Sequence, residues 1–213
     1  RRYTFASWSD GGPATHNIVA GAAPATYTAT FDDAGPASTP GLVAAYSFDQ
    51  ASGTSAPDAS GSGNTGTLTN GAVFSPSGGK YGGAVSFDGQ NDSVTVADSA
   101  SLDLTSGMTL EAWVRPATTG WPYRTVLMKE QSGNLAYALY LTDATRPLTT
   151  AITGGIERIA QGPTALTANT WVHLASTYDG ANMRLYVNGT LATTTAATGS
   201  ITVSTGALRI GAN

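Results

Sequence analysis

The stretch ATTGWPYRTV places Trp121, Tyr123 and Arg124 in one loop ahead of an apolar run. Aromatic faces stack on the C–H surfaces of sugars, and a guanidinium reaches hydroxyls or carboxylates, so this triplet is a candidate ligand site. Pro122 stiffens the loop. An aromatic at such a turn can equally cap an apolar core, and that reading stands beside the first. Tyr137 and Tyr140, in LAYALYLT, fall on opposite faces of a strand. One is expected in the core and one toward a ligand, and Tyr137 is taken with the candidate ligand set. Glu157 and Arg158, in TGGIERIAQG, sit on an expected exposed hairpin.

A second group of residues could hold a metal. FDQASGTSAPDASGSGNTG offers Asp49, Asp58, Ser60 and Asn64 among glycines. Calcium takes several oxygens from a flexible loop, which is what such a segment supplies. An ordinary Gly/Ser/Asn turn region is the competing reading. Asp88, Asn91 and Asp92, in FDGQND, read as hairpin-turn chemistry, because Asp-Gly after an alternating strand needs no metal.

Catalysis has less to work with. Glycoside hydrolysis needs two carboxyl groups flanking one bond. Glu occurs only at Glu111, Glu130 and Glu157, no two within strand spacing. Glu111 shares a strand face with Trp113 and Arg115, and an ion pair with Arg115 or Arg184 is its expected role. The only histidines are His16 and His173, and there is no cysteine. That excludes disulfides, thiolate metal sites and a cysteine nucleophile. Serine nucleophile elbows, phosphate-binding loops and zinc-type histidine pairs are missing as well. Binding is therefore expected over catalysis.

The elements that must position these residues are strands. ATYTATF alternates, with Tyr27, Ala29 and Phe31 on one face. YTFASW and HNIVAG before it, and LVAAYSF, MTLEAWVRP, TVLMKE and LAYALYLT after it, read as strands too. DASGSGNTGT reads as a polar loop with no core residues, and AVSFDGQNDSVTV as a hairpin turned at Asp88-Gly89. TWVHLASTYDGANMRLYVNGTLA carries two tight turns, at Asp179-Gly180 and Asn188-Gly189. No segment of helical length shows a 3.6-residue apolar period. Many short strands at this spacing predict an all-β sandwich or jelly roll. DDAGPASTPG has linker chemistry and divides the 213 residues unequally. Charged residues are only 11%, so hydroxyls make the surface polar. A net charge of −4 and scattered basic residues make a polyanion a poor partner and exclude nucleic acid. No apolar run approaches membrane-spanning length, so membrane insertion is not expected.

Taken in order, GLVAAYSFDQASGTSAPDASGSGNTGTL, YGGAVSFDGQNDSVTV, MTLEAWVRP, WVHLASTYDGANMRLYVNGTL and LRIGAN resemble the bacterial laminin-G-like, concanavalin A-like jelly roll, over Gly41 to Asn213. FASWSDGGPATHNIV…ATYTATF resembles the end of a bacterial Ig-like repeat. The resemblance implies an all-β, two-sheet antiparallel jelly-roll sandwich at 42–213, with a few extra N-terminal strands at 1–33 and a linker at 34–41. It also implies a closing strand that this sequence lacks after LRIGAN, whose visible strand should pair inside a sheet. In calcium-dependent relatives, the positions matching Asn134 and Asn213 contribute ligands, which would make a second calcium site. The expected function is a non-catalytic, secreted, glycan-binding or adhesion module, calcium-assisted, within a larger multimodular bacterial protein. Its partners would be a polysaccharide or cell-surface glycan and neighbouring modules of the same chain. A structural spacer or protein–protein adhesion domain, and a degenerate glycosidase, are the alternatives.

Overall fold

The computed structural model describes residues 3–19, 21–33, 40–119, 123–143 and 146–211. Two antiparallel sheets carry most of it. The larger runs in the order β12 (Ile156–Gln161), β11 (Arg146–Thr153), β10 (Asn134–Asp143), β9 (Arg124–Gln131), β16 (Leu208–Ile210), β7 (Ser93–Val96), β4 (Gly66–Thr69) and β3 (Ser55–Ala56). The smaller runs β15 (Thr190–Ala196), β14 (Asn182–Val187), β13 (Val172–Tyr178) and β8 (Met108–Val114). Two ribbons stand apart from them: β1 (Tyr3–Trp8) with β2 (Ala29–Asp33), and β5 (Val73–Ser75) with β6 (Ala84–Ser86). The expected all-β jelly-roll sandwich is the fold observed.

The core lies between the two large sheets. Leu139 and Ala151 from one face Leu174, Met183 and Leu185 from the other, all fully buried. Each large apolar side chain buried this way contributes about 1.5–3 kcal/mol. A buried polar link crosses this layer: the Thr149 hydroxyl lies 2.8 Å from that of Ser176 on the opposite sheet. The β13–β14–β15 meander follows its turn residues. Asn188 and Gly189 take φ of 51° and 77°, the left-handed pair of a type I′ hairpin turn. Asp179 accepts the N–H groups of Ala181 and Asn182 at 2.9 and 2.7 Å. LRIGAN begins with a strand that pairs on both sides, with β7 and β9.

Four expectations are corrected. His16–Gly21 forms no strand over its described residues. Leu42–Phe48 is not a strand either. Its backbone is taken up by a loop instead: Ala45 donates to Asp58 Oδ1 at 2.9 Å, and Val43 O accepts from Asn64 Nδ2 at 2.7 Å. That same loop, expected to hold no core residues, buries Ser60 and Asn64. AVSFDGQNDSVTV is not a hairpin, because β6 pairs with β5 while β7 joins the large sheet between β4 and β16. The Asp88 turn passes the chain from one sheet to another.

In the N-terminal ribbon, Phe5 packs on Phe31 and Trp8 at centroid distances of 5.9 and 6.1 Å. None of the described residues from 3 to 33 is buried. Its turn is tied by His16, whose Nε2 lies 2.8 Å from Asp10 Oδ2 and whose Nδ1 lies 2.9 Å from Pro13 O. Both ring nitrogens face acceptors, so the doubly protonated ring is favoured. The hydrogen bond with Asp10 raises the His16 pKa, and the same bond lowers that of Asp10. A raised histidine pKa means that the tie is complete below the ordinary value of 6.5 and is lost as pH rises through the higher folded value. An NMR titration of His16 should give a midpoint above 6.5, returning toward that value in Asp10→Asn. An unshifted midpoint in the native chain would contradict the pairing.

Candidate functional site

Cross-strand register decides which side chains face outward from the large sheet. Leu139 pairs with Leu127, Ala138 with Met128 and Tyr137 with Lys129. Leu127 and Leu139 belong to the core, so Met128 and Ala138 face away from it, with Tyr140. Tyr137 is therefore no ligand residue: it is 2% exposed in the core and donates its hydroxyl to Leu102 O at 2.8 Å. Tyr140 holds the outward position. Its ring meets that of Tyr123 edge-on at 5.7 Å, and its hydroxyl points at Met128 Sδ, 3.5 Å away. Burial raises the Tyr140 pKa, with the Glu157 charge and Tyr123 adding to it, so the group stays a neutral donor. Tyr123 is 57% exposed and has φ of 53°. A non-glycine residue in the left-handed region at a candidate site is a pointer to function.

The outward face continues along β9. Glu130 Oε1 accepts from Arg209 Nε at 3.1 Å, and Arg209 Nη1 donates to Thr95 Oγ1 at 2.7 Å, so one guanidinium spans β9, β16 and β7. Beyond Glu130 an open groove of about 520 Å³ is lined by Met128, Glu130, Gln131, Ser132, Asn134 and Thr205. It meets a second hollow lined by Asp103, Gln131, Ser204 and Thr205. Tyr123, Tyr140, Met128, the Glu130–Arg209 pair and Asn134 thus form one strip along β9, about 25 Å long at a strand's rise. Tyr123 and Asn134 belong to it, at opposite ends. Arg124 lies beside Gly89, and its Nε has no hydrogen-bond partner among the described residues. Trp121 and Asn213 lie outside the described residues. Glu157, on β12, accepts from the Thr150 hydroxyl at 3.0 Å.

Under the strip sits a residue that sequence reasoning passed over. Lys129 is fully buried and donates to Asp98, to Gly206 O and, at 3.0 Å, to Ser204 O. It straps the 203–207 loop, one wall of the groove, to β9. Gly206 is required there, because a Cβ would run into the Glu130 carbonyl. The polar Lys-Glu pair inside TVLMKE was the available signal for both Lys129 and Glu130.

The oxygens expected to bind calcium already have protein donors. Asp58 accepts from the N–H groups of Ala45, Ser60 and Asn64, at 2.9, 2.8 and 3.0 Å, and from the Ser60 hydroxyl at 2.7 Å. Burial pushes its pKa up, but these bonds outweigh burial and leave the carboxyl below its ordinary value. The Asn64 amide oxygen accepts from Ser99 at 2.6 Å. Asp49 is committed elsewhere, accepting the Gly83 N–H at 2.7 Å. Four inward-pointing donors occupy the place a cation would take at Asp58, so these three residues do not fit a calcium ion. Asn134 Oδ1 accepts the Leu135 N–H at 2.9 Å.

The glutamates are spread out. Glu111 pairs with His173 Nε2 at 3.6 Å, not with Arg115 or Arg184, which lie over Trp171 and beside Asp179. Glu130 and Glu157 sit on strands three apart, about 14 Å, which is wider than the span of two carboxyls about one glycosidic bond.

Comparison with known proteins adds the following. Residues 88–213 match the family described as the Concanavalin A-like lectin/glucanases superfamily. No curated protein sequence matches the chain significantly. Among solved structures, the chain is similar to domain 4 of AbnA, a GH43 extracellular arabinanase from Geobacillus stearothermophilus, in complex with arabinotriose. That match has 19% identity, covers 81% of this chain and 84% of the other, and has a TM-score of 0.63. Carbohydrate binding module CBM66 from Bacillus subtilis aligns at 18% identity over 69% of this chain and 88% of its own, with a TM-score of 0.42. The binding domain of Botulinum Neurotoxin DC in complex with SialylT aligns at 14% identity over 76% of this chain, with a TM-score of 0.49. The chain spans 43% of that neurotoxin chain. At such identities the likeness concerns the fold alone.

Proposed function

Since the chain belongs to the Concanavalin A-like lectin/glucanases superfamily, we propose that it is a non-catalytic, secreted glycan-binding module of a larger multimodular protein, and that it binds sugar along the β9 strip. The observation that carries this reading is the continuity of the strip. An exposed tyrosine braced by a second one leads past a thioether and an ion pair into an oxygen-lined groove. Stacking surface at one end and hydrogen-bonding groups at the other are what an extended oligosaccharide needs. The likeness to a domain of an extracellular arabinanase in complex with arabinotriose supports it.

Affinity electrophoresis in gels containing neutral polysaccharides tests it. The native chain should be retarded by at least one glycan. Tyr123→Ala should weaken that binding about five- to tenfold, because it removes the stacking face without touching the core. Arg209→Gln should weaken it less. Retention by no glycan on a broad array would sink the proposal and leave a structural spacer. Whether an ion assists at the oxygen-lined rim is read from the melting midpoint with and without chelator, since a bound ion raises it by mass action.

A further inference from the structure

The outer face of the small sheet carries a second group of aromatic and charged side chains, on the far side of the core from the β9 strip. Trp113 on β8 pairs across the sheet with His173 on β13, and their rings meet at 5.3 Å. Tyr81 comes from the loop between β5 and β6 and meets Trp113 edge-on at 5.6 Å. Lys80 places its ammonium 5.2 Å from the Trp113 ring centre and 5.9 Å from that of Tyr81. Two residues beyond Trp113, Arg115 stands over Trp171 at 5.4 Å. Neither Lys80 nor Arg115 has a carboxylate partner among the described residues. Tyr81 is 74% and Trp113 39% exposed.

The loop bearing Lys80 and Tyr81 is held in place. Asp49 accepts the Gly83 N–H at 2.7 Å, and Gly79 donates to Gly82 O at 3.0 Å. A Cβ at Gly83 would run into the Phe48 carbonyl, so the close approach depends on glycine. Two acids border this face: Glu111, 3.6 Å from His173 Nε2, and Asp49, held by the Gly83 N–H.

We propose that this face is a second binding site, for a short saccharide whose rings carry carboxylates. The aromatic edges and faces take the sugar's C–H surface, and Lys80 and Arg115 take successive carboxylates. About 7 Å of strand separates Trp113 from Arg115. The overall charge of −4 opposes a long polyanion. It acts weakly on a short one, because distant exposed charges are screened beyond a Debye length of about 8 Å. The site goes beyond the glycan strip and does not depend on it.

The test is an NMR titration of the full chain with tetragalacturonate, up to about 10 mM, following the indole N–H signals of Trp113 and Trp171. Both signals should shift. Lys80→Gln and Arg115→Gln should each weaken the apparent affinity about three- to fivefold, Lys80→Arg should retain it, and Tyr123→Ala should leave it unchanged. The methyl-esterified tetramer, with the same rings and no charge, should bind about tenfold more weakly and shift both signals less at equal concentration. Unmoved indoles, equal shifts with the ester, or native affinity in Lys80→Gln would each overturn the site. Loss of the uronate response in Tyr123→Ala would overturn it too, by placing the acid sugar on the strip. A failure of the strip shows differently, as neutral-glycan binding that is absent or indifferent to Tyr123→Ala.

Discussion

Lys129→Met should lower the unfolding free energy by about 3 kcal/mol and the melting temperature by about 6–12 °C. Methionine nearly matches the lysine in volume, so the loss isolates the ammonium. Without it, the Asp98 carboxylate and the carbonyls of Ser204 and Gly206 lose a shared donor in a place where Lys129 itself has no solvent contact. Orphaned buried acceptors cost about 1–3 kcal/mol each, and Asp98 recovers part of its share because its side chain is 33% exposed. The damage should also be local. The 203–207 loop leads into β16, so amide exchange at Leu208–Ile210 should quicken more than exchange in β13. Chemical denaturation of both proteins checks the magnitude. A change under about 1 kcal/mol would mean that the ammonium is not holding the loop.

The second large effect is expected at Asp58. Asp58→Ala strands the N–H groups of Ala45, Ser60 and Asn64 and the Ser60 hydroxyl together, with Ser60 and Asn64 both buried. The expected cost is about 2–4 kcal/mol, because bonds to a charged acceptor are among the stronger ones. The pH dependence has a definite sign. The folded pKa lies below the ordinary 3.8, so the carboxylate's contribution is present above that value and is lost as pH falls through the lower folded value. Denaturation curves of Asp58→Ala and the native chain should therefore lie far apart at neutral pH and converge in acid below pH 3.8. A gap that stays constant to low pH would show that the side chain acts by shape, not charge.

Much of the sheet order was legible from residues whose preferences are local. Asn188-Gly189 fixes a type I′ turn by itself, and the alternation around it places Met183, Leu185 and Leu174 inward. The turn at Gly154-Gly155, in the TGGIERIAQG hairpin, was equally plain. What failed depends on partners distant in sequence. Leu42–Phe48 has the composition of a strand, but its backbone hydrogen bonds go to Asp58 and Asn64, and no periodicity carries that information. The Asp88 turn looks like a hairpin because Asp-Gly favours a reversal without saying which sheet the chain joins next. Tyr137 and Tyr140 were known to face opposite ways. Which one faces inward follows from the pairing of β10 on β9, where Leu139 lies opposite the core residue Leu127 and Tyr137 shares its face. At the candidate site, Tyr123 was singled out by residue type and Asn134 by the family resemblance. Met128, Arg209 and Tyr81 join the candidate faces only because segments far apart in sequence become neighbours. The Lys-Tyr pair flanked by glycines in SGGKYGGA was the visible signal for Tyr81.

The position of β16 bears on how this protein comes to be folded at all. The strand lies between β7 and β9, and Arg209 bonds to Thr95 across a sequence separation of 114 residues. A chain emerging from the ribosome can form the β13–β14–β15 meander early from neighbouring residues. The large sheet stays split, with β7 and β9 each presenting an open edge, until Leu208–Ile210 arrive between them. Such late, non-local closure makes for slow folding and leaves a nascent chain whose exposed strands can pair with the wrong partner. The sparse charge of this sequence offers little electrostatic protection in that interval, so control of misassembly falls on turn geometry and on the speed with which β16 docks.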